Sequence, residues 1–371
     1  MIFRFFKLYM TNGHATKFLP WAFSLSLSCR GSSFVCVRRT MLWVAGTIWL
    51  SSFSLADESG QGLEQPFTVM TFNTGTGAGV TVAAEENLGY GKEQARISDE
   101  YYGHGLAWKA AVEAVHDFVQ AISPDIVAFQ EIFHCEDCAS VPEEARAGFV
   151  CEDWQPGDPT VASLVLGEDY QIATCVGHSD KCLAVHKRFG RIRGCDGDFC
   201  LEGLEGFPIQ GCSKGSRIGR AVIDRVDGEP ITVICYHGTS GISKKDMACR
   251  VQQIEQIFVD FGDGAPGVNG KANIILGDFN TDPVRMPAFD PSAKRWNDFV
   301  GEGKRFHFVT ASESNGPSSY GPFNIDHIVT DAFQGEVILP GKLSTSSNVF
   351  HFQMFDHSPI VVRMEMLVEG G

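Results

Sequence analysis

Six short apolar runs in this chain each carry a polar side chain inside them or at one end, and that recurrence constrains the fold more than any bulk property. Phe67 to Phe72 ends in Asn73, Asp125 to Phe129 ends in Gln130-Glu131, and Ile231 to Tyr236 ends in His237. Asn273 to Leu276 ends in Gly277-Asp278-Phe279-Asn280, Asn324 to Val329 carries Asp326 within it, and Phe355-Asp356-His357-Ser358-Pro359 leads into Ile360-Val361-Val362. Short β-branched runs bounded by Gly, Asn, Asp and Pro read as buried strands. Side chains at i and i+2 share a strand face, so Asp278 and Asn280 leave one rim together. A Gly-Asp turn after a strand is a common loop start, and a lone His at a strand end is usually a packed or surface histidine. The repetition points instead to one site assembled from many strand ends.

Three segments are most specific: Gln130-Glu131, Gly277-Asp278-Phe279-Asn280 and Asp356-His357-x-Pro359, supported by Gly215 to Val222 before the run into His237. At these residues the sequence resembles the endonuclease/exonuclease/phosphatase superfamily, over about Phe67 to Met366. It departs from the family pattern at Gly238-Thr239-Ser240-Gly241, where Leu often follows the histidine, and at Asn324, where Arg commonly precedes Ile-Asp. The resemblance implies an α+β fold, a deoxyribonuclease-like four-layer α/β/β/α sandwich of two packed mixed sheets, and divalent-metal-dependent phosphoester hydrolysis. It implies Glu131 as the principal metal carboxylate, helped by Asn73 and Asp356. Asp278 would orient or deprotonate the attacking water, Asn280 would hold a phosphate oxygen, and His237 would bind or protonate phosphate oxygens. His357 would be the second imidazole, and Asp326 would orient a histidine.

Oxygen ligands without clustered Cys or His suit Mg²⁺, Mn²⁺ or Ca²⁺ rather than Zn²⁺. The expected partner is a phosphodiester substrate, from nucleic acid or a phospholipid headgroup, and no stable protein partner is evident. Two other readings compete. A calcineurin-like phosphoesterase also uses Gly-Asp turns but would need an Asn-His motif and a late Gly-His-x-His, which do not occur. A disulfide-stabilised extracellular binding protein on a degenerate hydrolase scaffold would have no use for so many ionisable side chains at strand ends.

Residues 1–56 hold six basic residues and no acid, with an apolar run from Met41 to Leu50 and small residues at Ser54-Leu55-Ala56. That pattern reads as a leader with a signal peptide cleaved near Ala56, which predicts a secreted or periplasmic protein; the long stretch ahead of Met41 fits either a start at Met41 or a twin-arginine-like or amphipathic organelle leader. The apolar stretch is short for a membrane span, and no later run is long enough, so the mature chain is expected to lack a transmembrane helix. The remainder, 57–371, reads as a single catalytic domain. The formal charge of −15 becomes −21 without the leader, because 24 basic residues then face 45 acidic ones. Such a body disfavours tight non-specific nucleic-acid binding, although a local cleft with Arg217 and Arg220 could still accept phosphate.

Beyond Cys29 and Cys36 in the leader, ten cysteines remain, an even number that suggests disulfides and an oxidising compartment. Eight lie between Cys135 and Cys212, predicting a Cys-rich, loop-rich insertion over about 135–212. Cys235 and Cys249 are expected to pair across the turn that follows His237. Helices are predicted over Leu106–Ile122, stopped by Pro124, and over Ser243–Phe261, with Ser243 as N-cap and Met247, Val251, Ile254, Phe258 and Phe261 along one stripe. The Gly-rich segment after Asn73, through Tyr101, Tyr102 and His104, reads as a substrate-facing loop.

Overall fold

The computed structural model describes residues 65–77, 84–175, 178–202, 212, 217–310, 319–320, 322–338 and 354–367. The leader, its cleavage point and residues 78–79 of the glycine run lie outside them. In chain order the strands are β1 (Phe67–Asn73), β2 (Ile126–Gln130), β3 (Tyr170–Cys175), β4 (His178–His186), β5 (Gly190–Ile192), β6 (Phe199–Leu201), β7 (Ile218–Arg225), β8 (Ile231–His237), β9 (Ala272–Asp278), β10 (His307–Phe308), β11 (Asp326–Thr330), β12 (Phe333–Val337) and β13 (Ile360–Met366). The helices are α1 (Lys92–Tyr101), α2 (Lys109–Ile122), α3 (Val161–Leu166), α4 (Lys244–Phe258) and α5 (Pro291–Phe299).

Two mixed sheets result among the described residues, one ordered β12-β13-β1-β2-β4-β3-β6 and the other β10-β11-β9-β8-β7-β5. Strand alternation divides each run between two environments. Val69, Ile126 and Leu183 of the first sheet meet Val233, Cys235 and Ile274 of the second in one buried layer. On the outer face of the first sheet, Met70, Phe72, Val127 and Phe129 pack with Val112, Val115 and Val119 of α2 and Val165 of α3. On the outer face of the second, Tyr236 meets Trp296 of α5, and Ile254 and Ile257 of α4 join the same cluster. The expected α/β/β/α sandwich is therefore the observed fold.

The topology also fixes which strand ends meet. β1 and β2 are parallel and adjacent, so Asn73 and Gln130 face each other at one edge, and antiparallel β13 begins at that same edge. In the second sheet β8 and β9 are parallel, pairing His237 with Asp278, and antiparallel β11 starts with Asp326 opposite Asp278. Gly277 is needed here, because a Cβ at its φ of +146° would sit 1.8 Å from the Tyr236 carbonyl oxygen.

Several expectations require correction. α2 starts at Lys109, not Leu106, because Trp108 is extended and its Nε1 donates to the Leu88 carbonyl at 2.9 Å. Ser243 does cap α4, its Oγ accepting from Asp246 N, but the buried face holds Arg250 and Gln253 beside Ile254 and Ile257. Val251 and Met247 are only half-buried. The segment 135–212 is no insertion of loops: it supplies β3, β4 and β6 to the first sheet and β5 to the second. Six cysteines pair there and in α4, as Cys138–Cys151, Cys195–Cys200 and Cys212–Cys249. Cys235 is not bonded to Cys249. It points from β8 into the layer between the sheets, whereas α4 covers the opposite face, so spacing along the chain misjudged the side of the strand. Cys135, Cys175, Cys182 and Cys235 remain buried thiols, and burial pushes each of them up from its ordinary range.

Candidate active site

The eight side chains singled out from the sequence come from strand ends of both sheets and gather at the mouth of the cleft between them. Asn73 bridges the sheets: its Nδ2 donates to Glu131 Oε1 at 3.2 Å and to Asp278 Oδ2 at 3.1 Å, while its Oδ1 accepts from Gly75 N. Asp278 Oδ1 accepts from the Asn280 backbone N at 2.7 Å, and Oδ2 from Asn280 Nδ2 at 2.8 Å. Asn280 Nδ2 also donates to the Gly238 carbonyl, tying the loop after β9 to the loop after β8. His237 Nε2 lies 3.4 Å from Glu131 Oε1 and 3.6 Å from Asp278 Oδ2.

Across the mouth, His357 Nδ1 donates to Asp326 Oδ2 at 2.7 Å, which leaves Nε2 facing Asp278 Oδ2 at 3.8 Å and Asp356 Oδ1 at 3.9 Å. This bond selects the tautomer and aims Nε2 inward. Glu131 and Asn280 adopt φ of +57° and +49°, a left-handed backbone that is uncommon outside glycine. Strain of this kind concentrates at working sites, and here it turns both side chains into the mouth.

The electrostatics follow from crowding acids in a half-dry place. Burial raises the Glu131 carboxyl, and the Asp356 charge adds to it; burial likewise raises Asp356. Asp278 is pushed up to about 7 by burial, with the Asp326 charge adding and His357 opposing. For His357 burial works against the cation, but Asp326 and Asp278 outweigh it and hold the imidazolium up to about 10.

Gly75 supplies a test of whether a hard cation fits. A Cβ there would stand 2.5 Å from Glu131 Oε2, 3.1 Å from Asn73 Oδ1 and 3.3 Å from Asp356 Oδ1. Three oxygens of two carboxylates and one amide thus ring a hollow that only glycine leaves open. That donor set suits Mg²⁺, Mn²⁺ or Ca²⁺, and a cation there would relieve the mutual repulsion that raises both acids. Asp278, Asp326 and His357 form a second group whose donor atoms lie within 4.8 Å of one another. It is the poorer cradle, since Asp326 and His357 already occupy each other and His357 is cationic.

The other residues near the site were legible only in part. Arg217, foreseen only as a cleft cation, precedes β7 and places Nη1 3.5 Å from His237 Nε2, because its carbonyl pairs with the His237 amide. Arg220 instead bonds Glu202 at 2.8 Å and lies over the Phe261 ring. Tyr320 sets its ring 4.8 Å from that of His357. Tyr101 and Tyr102 end a helix that was expected to be loop, and with Phe133, His134, Asp137 and Asp180 they line a cavity beginning at Glu131. His104 turns away to Asp99 at 2.8 Å.

No family model and no curated protein matches the sequence. Among solved structures, the chain is similar to the human Nocturnin catalytic domain with bound sulfate, at 14% identity over 81% of this chain and 94% of that one, with a TM-score of 0.44. A humanized D. rerio TDP2 aligns at 10% identity over 81% and 99%, with a TM-score of 0.45. ANGEL2, a 2′,3′-cyclic phosphatase, aligns at 12% over 81% and 96%, with a TM-score of 0.43. At those scores the likenesses carry no functional argument, and the chemistry rests on the side chains at the cleft mouth.

Proposed function

We propose that the chain is a member of the endonuclease/exonuclease/phosphatase superfamily and hydrolyses phosphodiesters with a divalent cation. One observation carries the reading: an oriented Asp326–His357 pair faces the Asp278–Asn280 pair within the same mouth as the oxygen hollow at Gly75. Glu131, Asn73 and Asp356 would hold the cation, which supplies Lewis-acid neutralisation of phosphoryl charge when bound.

The chain's own groups divide the remaining work. Asp278, held by Asn73 and Asn280, orients the attacking water and accepts its proton. His237 and Arg217 face the phosphoryl oxygens, where negative charge is spread in the transition state; Asn280 would reach a phosphate oxygen by exchanging its bond to the Gly238 carbonyl. His357, charged and aimed by Asp326, binds the phosphate and offers its Nε2 proton to the oxygen that departs. Hydrolysis gains here mainly from fixed position and fixed charge. A binding protein on the same scaffold would not require the buried carboxyls of Asp278 and Asp326, whose desolvation costs stability.

The three disulfides agree with a secreted or periplasmic protein, and no helix among the described residues is long and apolar enough to cross a membrane. The test is turnover of duplex DNA, single-stranded DNA, RNA, sphingomyelin and bis-p-nitrophenyl phosphate with Mg²⁺, Mn²⁺, Ca²⁺ or chelator. Divalent-dependent cleavage of at least one is expected, and undiminished cleavage in chelator would overturn the mechanism.

A further inference from the structure

Asp326 and His357 reach each other from different elements, and only one of them stands on a strand: Asp326 opens β11, whereas His357 lies three residues ahead of β13. A turn at residues 319–323 joins the two. Ser319 is buried, its Oγ accepts from the amides of Ile325 and Asp326 at 3.1 Å each, and its carbonyl accepts from the Ser358 amide at 2.9 Å. One residue thus anchors the backbone at the carboxylate and just after the imidazole. The turn closes on itself, Tyr320 N donating to the Phe323 carbonyl at 3.0 Å and Phe323 N to the Tyr320 carbonyl at 2.8 Å. The residues that follow are fastened to the other side of the mouth. Phe279 N, next to Asp278, donates to the Ile325 carbonyl at 2.7 Å, and Asn324 N donates to Asp282 Oδ2 at 2.9 Å.

This turn carries Tyr320, whose ring centroid stands 4.8 Å from that of His357 with 42° between the planes. Tyr320 is only half-buried and stands outside both apolar cores, so its ring is not explained by core packing. Against an imidazole it has a mechanical effect. A single hydrogen bond from Nδ1 to Asp326 tethers the ring but lets it tilt about the tether, and the tilt displaces Nε2 on the far side. An aromatic neighbour in contact range limits that tilt. Precision matters here, because misplacing a reacting group by about 1 Å can cost about 10²-fold in rate.

We propose that Tyr320 is a positioning residue, whose ring holds the His357 imidazole so that Nε2 meets the departing oxygen. This deepens the phosphodiesterase reading and rests on it for the proton's destination. Water attacks phosphorus and passes its proton to Asp278; the bond to the departing oxygen breaks, and that oxygen keeps the electron pair and takes the Nε2 proton. The more basic the departing oxygen, the more the step depends on where Nε2 stands.

The experiment compares wild type, Tyr320→Leu and Tyr320→Phe on two soluble diesters in the presence of divalent cation. Bis-p-nitrophenyl phosphate releases p-nitrophenolate, a weak base that leaves without a proton, whereas diphenyl phosphate releases the more basic phenolate. Tyr320→Leu should lose about 10²-fold in kcat on diphenyl phosphate, at least about tenfold more than it loses on bis-p-nitrophenyl phosphate. Tyr320→Phe keeps the ring and should restore the wild-type ratio between the two esters. Equal losses on both esters, or Tyr320→Leu as active as wild type on diphenyl phosphate, overturn the proposal. NMR relaxation of the His357 imidazole in chelator tests the same contact without turnover. Tyr320→Leu should loosen the ring and Tyr320→Phe should not, and an imidazole equally ordered in all three proteins overturns the proposal. Wild type that cleaves neither ester would sink the phosphodiesterase reading, with the relaxation result still deciding whether Tyr320 holds His357.

Discussion

His357 and Asp326, on segments 31 residues apart, share a 2.7 Å hydrogen bond in which a buried carboxylate accepts from Nδ1. Asp326→Asn is expected to lower turnover by about 10²–10⁴-fold, the range for loss of an oriented acid–base group. The His357 imidazole, raised to about 10 in the native protein, should then titrate lower. Side-chain NMR of His357 in chelator checks this directly, and an unmoved titration would show that Asp326 does not govern the imidazole.

Gly75→Ala removes no ligand but fills the hollow at Glu131, Asn73 and Asp356. The divalent concentration needed for half-maximal activity should rise by at least about tenfold, as should that of Glu131→Gln, a loss of metal affinity on the scale seen when a site's supporting contacts are removed. Metal titration of activity, with the melting temperature alongside, separates this from unfolding.

Arg250 is buried on α4 and donates to Ser292, Thr239, Gly241 and Asp290, while Thr281 joins Asp290 from the loop after Asn280. Arg250→Met leaves the Asp290 carboxylate uncompensated and should cost about 3–5 kcal/mol in denaturant unfolding. A loss below 1 kcal/mol would mean that the two loops do not depend on it.

His327 is fully buried between the Thr310 hydroxyl and the Asn324 carbonyl, and burial lowers it to about 4. A depressed imidazole binds fewer protons folded than unfolded, so stability should fall as pH drops from about 6.5 towards 4, by up to about 3 kcal/mol. Unfolding free energies across that window, with His327→Gln as the control that flattens the slope, make the measurement.

Thiol mapping without reduction should find Cys212 joined to Cys249 and leave Cys235 unmodified until the protein unfolds. Replacing Cys212 with Ser should cost about 2–4 kcal/mol, as expected for releasing a loop of this size. Because Cys249 precedes Arg250, any loss of activity on reduction should travel through α4.

Strand positions and their terminal polar residues were legible because apolar runs and turn chemistry are local signals, and Asn73, Glu131, His237 and Asp278 all stood out that way. What was not legible depended on which face a side chain takes after long-range packing. Cys235 alternates into the layer between the sheets, and Arg250 and Gln253 sit on a helix face that periodicity assigned to apolar residues. Gly75 stood out only as part of a glycine-rich loop, since its role is the absence of a side chain among oxygens that arrive from residues 73, 131 and 356. The left-handed turn at Glu131 likewise has no composition cue.

β13 lies antiparallel beside β1 in the interior of the first sheet, Phe67 opposite Met364. During synthesis, then, β1 waits for its neighbour while nearly the whole intervening chain is made, and Asp356 and His357 arrive just ahead of that last strand. A chain cut ahead of Asp356 would leave β1 without its antiparallel neighbour and Asp326 without His357.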